Sequence, residues 1–152
     1  RSENCKIELV VFGEKLEDPT PLYEEAGFKF EYHFRPTGET LRKIYSSCGT
    51  FLCSSWYEGL GMPAMEAMMC GTVLVTTDTG GNRDYALNEK TALVSPIKNP
   101  EALAKNLIRV LTNEPLRLQL AEKGYQKIQQ FSWDANCEQL AKCFEKSLDD
   151  RK

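Results

Sequence analysis

The sequence predicts an α/β domain: a parallel sheet flanked by helices, followed by a helical C-terminal segment. Three observations predict it. Short apolar runs alternate with amphipathic stretches over roughly the first 95 residues. One run, residues 72–77 (Thr-Val-Leu-Val-Thr-Thr), is rich in β-branched and apolar residues and has no charge, as suits a strand covered on both faces. Beyond Asn99 the apolar residues recur at helical spacing only. Strands alternating with helices are βαβ units, and these build parallel sheets.

The elements follow in order. Residues 7–12 (Ile-Glu-Leu-Val-Val-Phe) read as a strand ended by Gly13. Thr20-Pro21 opens a short helix over 22–26, which Gly27 stops. Residues 28–34 are a second strand. Thr37 caps a helix to Ser47 with Leu41, Ile44 and Tyr45 on one face. Residues 50–54 are a third strand, followed by a Gly-rich turn and a helix over 63–69 closed by Gly71. After the strand at 72–77 come a turn at Asp78-Thr79-Gly80-Gly81-Asn82, a short helix around 84–87 and a last strand at 91–94. Asn99-Pro100-Glu101 opens a helix with Leu103, Leu107, Val110 and Leu111 at i, i+4, i+7 and i+8. Pro115 opens another, to about Phe131. Ser132 caps the last, which carries Cys137, Leu140, Ala141, Phe144 and Leu148 on one stripe. No repeat, low-complexity segment or linker interrupts the 152 residues, which are read as one domain.

Composition narrows the function. An apolar fraction of 41% and a charged fraction of 27% are those of a soluble globular protein. A net charge of −3 without a basic run argues against nucleic acid as a partner. No stretch approaches the roughly 20 apolar residues of a membrane span, and the opening Arg1-Ser2-Glu3-Asn4 has no apolar signal-peptide core. Six dispersed cysteines with no C-x-x-C pair, and one histidine, His33, offer no convincing metal ligand set. Cys53 and Cys70, in apolar runs, read as buried thiols. Free thiols fit a reducing cytoplasm.

The residues that carry chemistry are Glu58 and Glu66, eight positions apart in Tyr57-Glu58-Gly59-Leu60-Gly61-Met62-Pro63-Ala64-Met65-Glu66. A strand precedes this run and a helix follows it. The spacing puts Glu58 at the mouth of a Gly-rich turn and Glu66 in the first helical turn. Such an arrangement suits a ligand bearing both phosphate and sugar hydroxyls. The glycines admit backbone N–H groups, the helix N-terminus favours negative charge, and the carboxylates grip hydroxyls. Both glycine turns, Gly59-Leu60-Gly61 and Gly80-Gly81, directly follow strands, so they are expected on one edge of the sheet. That is the edge where ligands bind in such folds.

The run Tyr57-Glu58-Gly59-Leu60-Gly61-Met62-Pro63, then Glu66-Ala67-Met68 and Cys70-Gly71-Thr72-Val73, resembles the signature of retaining GT-B glycosyltransferases of family 4 (glycosyl transferases group 1). Later segments fit in order: Gly80-Gly81, Asp84-Tyr85-Ala86, Thr91-Ala92-Leu93-Val94, Pro100-Glu101-Ala102-Leu103 and Phe131-Ser132-Trp133. The resemblance implies the Rossmann-like C-terminal domain of a GT-B fold, which holds a nucleoside-diphosphate sugar. It implies that Glu66 binds the ribose, that Glu58 contacts the transferred sugar at the catalytic centre, and that the backbone amides of Gly59, Leu60, Gly61 and Met62 face the diphosphate or the sugar. Gly80 and Gly81 are expected to join the donor site. From their place at the carboxyl end of the second strand, Arg35 and Pro36 are candidates to border the base pocket. The implied reaction transfers a sugar to an acceptor hydroxyl with retained configuration, without cofactor or metal. Residues 7–12 look like the domain's second strand. The first strand, a cationic Arg/Lys pair and an N-terminal acceptor domain would then lie before Arg1, and any membrane association would come through that part, placing the protein in the cytoplasm or at the inner membrane face.

Plainer readings stand beside these. Glu66 can serve its helix dipole alone, Glu58 can be a solvated loop charge, and Gly80-Gly81 can simply turn the chain. Arg83 either reaches a phosphate or stays in solvent. Asp84 stands where relatives of this family carry Glu. Met65, Met68 and Met69 read as core packing, and His33 as structural. Trp56 and Tyr57 read as walls of the turn. The competing class is a non-catalytic Rossmann-like scaffold or regulatory module.

Overall fold

The computed structural model describes residues 7–14, 27 and 29–149. The helix expected over 22–26 lies outside them. The chain divides into two compact units, residues 1–44 and 45–152.

In the first unit, β1 (Leu9–Gly13) pairs in parallel with β2 (Phe30–Phe34), with Leu9 opposite Phe30 and Gly13 opposite Phe34. The Arg35 N–H extends the ladder by donating to Gly13 O at 2.9 Å. Helix α1 (Gly38–Ser47) follows, and its last turn, from Tyr45, belongs to the second unit.

The second unit is built on a parallel sheet of β3 (Thr50–Cys53), β4 (Val73–Thr77) and β5 (Ala92–Ser95), with β4 in the centre. Every residue of β4 is buried, as its β-branched run predicts. Successive side chains point to opposite faces, so β4 serves two clusters. Leu74 packs with Ala64, Met68, Tyr85, Ala86, Ala92 and Ile128. Val73 and Val75 pack with Leu93, Leu103, Val110, Leu120 and Ala121. The first cluster draws on α2 (Met62–Met69); the second draws on α3 (Pro100–Thr112) and α4 (Glu114–Ile128), and α4 also gives Ile128 to the first. Met65 and Met68 are in or against the core as expected, but Met69 is largely exposed, on the outer side of its short helix. Cys53 and Cys70 are half-buried rather than sealed.

Caps fix the helix starts. Asn99 Oδ1 accepts from Ala102 N at 3.0 Å, and Asn113 Oδ1 accepts from Leu116 N at 3.0 Å. Pro115 lies in the opening turn of α4, as expected of a residue that opens a helix. Ser132 Oγ accepts from Ala135 N at 3.2 Å ahead of α5 (Trp133–Asp149). The apolar stripe of α5 forms as predicted yet buries nothing: Leu140, Phe144 and Leu148 are all exposed.

The short helix expected around 84–87 does not form. Residues 81–85 are a succession of turns. Tyr85 N and Ala86 N both donate to Asn82 O, which makes one helical turn. Thr91 Oγ1 then accepts from Leu87 N at 2.8 Å and donates to Tyr85 O, so a side chain four positions beyond Leu87 and six beyond Tyr85 takes the groups a continuing helix needs.

Candidate functional site

The carboxyl ends of β3 and β4 lead into the two glycine turns, and these meet. Glu58 and Gly80 form an isolated parallel bridge. A Cβ on Gly81 would overlap the carbonyls of Glu58 and Gly59, so the turns stack at a distance only glycine permits. Thr77 Oγ1, at the end of β4, donates to Ser55 O and ties the two loops again. The buried Asn82 donates from Nδ2 to Thr77 O at 2.8 Å and holds the second turn from below.

The first turn has its own strut. Gly61 caps α2 in a left-handed conformation, with φ 78° and ψ 53°. Tyr85, with no exposed surface, donates from its hydroxyl to Leu60 O at 2.7 Å and lies 3.3 Å from Gly61 O. Burial pushes the Tyr85 phenol well above its ordinary value, with nearby Cys53 and Glu58 adding to the effect, so it stays a donor. Leu60 and Met62 project into solvent, and Glu58 is half-buried.

Glu66 stands in the second turn of α2 rather than the first. The helix begins at Met62, directly on the Gly61 cap, which leaves no acid in the opening turn. A dipole-stabilising role at the N-terminus is therefore weak. The half-buried Glu66 carboxylate instead accepts at Oε2 from the Tyr45 hydroxyl, 3.1 Å away. Tyr45 is buried and edge-on to Phe51, with ring centroids 5.7 Å apart. Burial raises its phenol strongly, and the Glu66 charge and hydrogen bond raise it further.

Arg83 is exposed and paired. Its guanidinium holds Asp78 through two bonds, Nε to Oδ1 at 2.8 Å and Nη2 to Oδ2 at 2.9 Å, and Asp78 Oδ1 also accepts from Gly80 N at 3.3 Å. The Arg83 hydrogen bond holds the Asp78 carboxyl below its usual range. Trp56 and Tyr57 are exposed, with the Lys98 ammonium 4.7 Å over the Trp56 ring. Among the described residues, no group of three His, Cys, Asp or Glu is placed to hold a metal ion.

The structure thus gathers Glu58, Gly59, Leu60, Gly61, Gly80 and Gly81 at one edge, with Met62 and Glu66 on the helix that leaves it. Arg35 belongs to the other unit, at the end of β2, exposed and with φ 45°. Sequence reasoning places Tyr45 only on the apolar face of its helix and Tyr85 only within a segment of the resemblance, and gives neither hydroxyl a role. The available signal was that a buried tyrosine hydroxyl needs a partner.

This is a Rossmann-like α/β domain of the GT-B type. Sucrose-phosphate synthase from Thermosynechococcus elongatus matches it with a TM-score of 0.80 at 25% identity, over 93% of this chain and 39% of that one. S. aureus TarM, in a complex containing UDP, matches with a TM-score of 0.78 at 20% identity, over 91% of this chain and 29% of that one. The chain belongs to the glycosyl transferases group 1 family, which matches residues 1–127. A D-inositol 3-phosphate glycosyltransferase from Salinispora tropica is 32% identical over 133 residues, covering 84% of this chain and 28% of its own length. That of Corynebacterium jeikeium is 32% identical over 136 residues, covering 88% and 32%. The chain spans roughly a third of the length of these curated relatives. Among the described residues no helix is long and apolar enough to cross a membrane.

Proposed function

We propose that this chain holds the nucleoside-diphosphate sugar of a retaining glycosyltransferase and that the intact protein transfers the sugar to an acceptor hydroxyl. The observation that carries the proposal is the stacked pair of glycine turns at the carboxyl edge of the sheet, with Glu58 in the bridge between them and Glu66 on the helix that follows. Ligands of open parallel sheets bind at that edge. As the bond to the sugar breaks, the diphosphate gains negative charge, and preorganised backbone amides stabilise such charge where it develops. In this reading the turn from Gly59 to Met62 presents those amides and Gly80 and Gly81 complete the wall. Glu66 grips the ribose and Glu58 the transferred sugar. The chemistry calls for no cofactor, and the setting is the cytoplasm or the inner face of a membrane. The UDP in the TarM complex and the glycosyltransferase activity in the names of the relatives support the same class.

The test is an NMR titration with UDP, GDP and ADP at millimolar concentration. Shifts at the Gly59, Gly61 and Glu66 amides with one of the three are expected and identify the base. Unmoved amides with all three would overturn the proposal.

A further inference from the structure

Tyr45 is fixed three times over. Its ring packs edge-on to Phe51, its carbonyl accepts from Thr72 Oγ1 at 2.9 Å, and its hydroxyl donates to Glu66 Oε2 at 3.1 Å. The first two contacts hold the side chain and its backbone without the hydroxyl. The third reaches out of the core to a half-buried carboxylate, although a backbone carbonyl would have satisfied the phenol equally well. An ionised carboxylate offers about four lone-pair directions on two oxygens. The phenol takes Oε2, and among the described residues Oε1 has no protein partner.

We infer that Tyr45 is a positioning residue for ligand recognition by Glu66: its hydroxyl locks the carboxylate in one orientation and leaves Oε1 to accept from the vicinal hydroxyls of a ribose. This rests on the donor-site reading above and adds to it the group that aims the carboxylate. A glutamate on an exposed helix face samples several rotamers, and each must be frozen when a ligand binds. The buried phenol freezes them beforehand. Its raised pKa keeps it a hydrogen donor throughout neutral pH. Phenylalanine at this position retains the ring, the Phe51 contact and the Thr72 bond, and removes the hydroxyl that makes the lock.

The experiment measures calorimetric affinity of the intact protein for the nucleoside diphosphate identified by titration and for its 2′-deoxy analogue. The proteins compared are wild type, Tyr45→Phe, Glu66→Ala and the double variant, each checked for unchanged circular dichroism. Wild type is expected to prefer the ribo form by about tenfold or more, the scale of a charge-assisted hydrogen bond. Tyr45→Phe should weaken the ribo form about fivefold and leave the deoxy form within about twofold, so that the preference shrinks. In the Glu66→Ala background the same substitution should change nothing. A Tyr45→Phe loss that is equal for both ligands, or equal in both backgrounds, overturns the positioning role and leaves Glu66 as the ribose ligand. An undiminished ribo preference in Glu66→Ala overturns the donor-site reading and this inference with it.

Discussion

The two glycine turns occupy the same edge of the same sheet, and each has one left-handed glycine, Gly61 at φ 78° and Gly80 at φ 86°, yet their remaining glycines are there for different reasons. In the second turn Gly81 is demanded by packing, because the carbonyls of Glu58 and Gly59 leave no room for a side chain. In the first turn Gly61 is demanded by backbone, with φ 78° and the Tyr85 hydroxyl 2.8 Å from where its Cβ would be. Gly59 is demanded by neither. Among the described residues nothing lies within 4 Å of the position its Cβ would take, and its φ is not in the left-handed region. A glycine that the fold does not require, facing open space beside a glutamate, is where a ligand's close approach explains the residue.

Substitution separates these roles. Gly81→Ala should have the largest effect, since the obstacle is backbone on both sides and the turns must part to admit a methyl group. We expect a loss of about 3 kcal/mol or more, read as a lower thermal midpoint together with broadened amide signals at Glu58 and Gly80. A midpoint within a degree of wild type would show that the turns do not stack as described. Gly59→Ala should act in the opposite sense on stability. A methyl group there meets nothing and restricts the unfolded chain, so the protein should gain about 0.4–1 kcal/mol. Nucleoside-diphosphate affinity should fall by about tenfold, because the methyl group blocks the approach of phosphate to the turn. Unchanged affinity in that stabilised variant would remove Gly59 from the donor site.

The same contrast explains what was legible in the sequence. The alternation of strands and helices, the buried β4 run and the Asn99-Pro100 cap are local patterns, and the structure realises them. The adjacency of the turns was also legible, because turns that follow parallel strands share an edge. What could not be read depends on partners distant in sequence. Thr91 halts the helix expected at 84–87, and Tyr85 braces Leu60 from 25 residues away. Tyr45 finds Glu66 from 21 residues away, although the helix face it sits on reads as plain core. Arg83, an open candidate for phosphate in the sequence, is occupied by Asp78. The stripe on α5 was read correctly as a pattern, but a pattern does not say whether anything covers it.

The smallest expected effect is electrostatic and again divides the turns. The first turn is braced by a buried neutral phenol, and the second by an exposed ion pair, Asp78 with Arg83. Because the folded-state Asp78 carboxyl lies below its ordinary value, its contribution is complete above the unfolded pKa of about 4 and is lost as pH falls through the folded value. The pair is well exposed, so the change in global stability should be slight. The local change is measurable, since the Gly80 amide donates to Asp78 Oδ1. Its chemical shift should titrate with a midpoint below the usual carboxylate range in wild type. In Asp78→Asn that acid-range step should disappear. The Ala64 amide, bonded to Gly61 O in the first turn, should stay flat over the same range. A Gly80 midpoint at an ordinary carboxylate value would mean that the ion pair does not hold the second turn. Parallel titration of Ala64 would mean that the two turns are not braced independently.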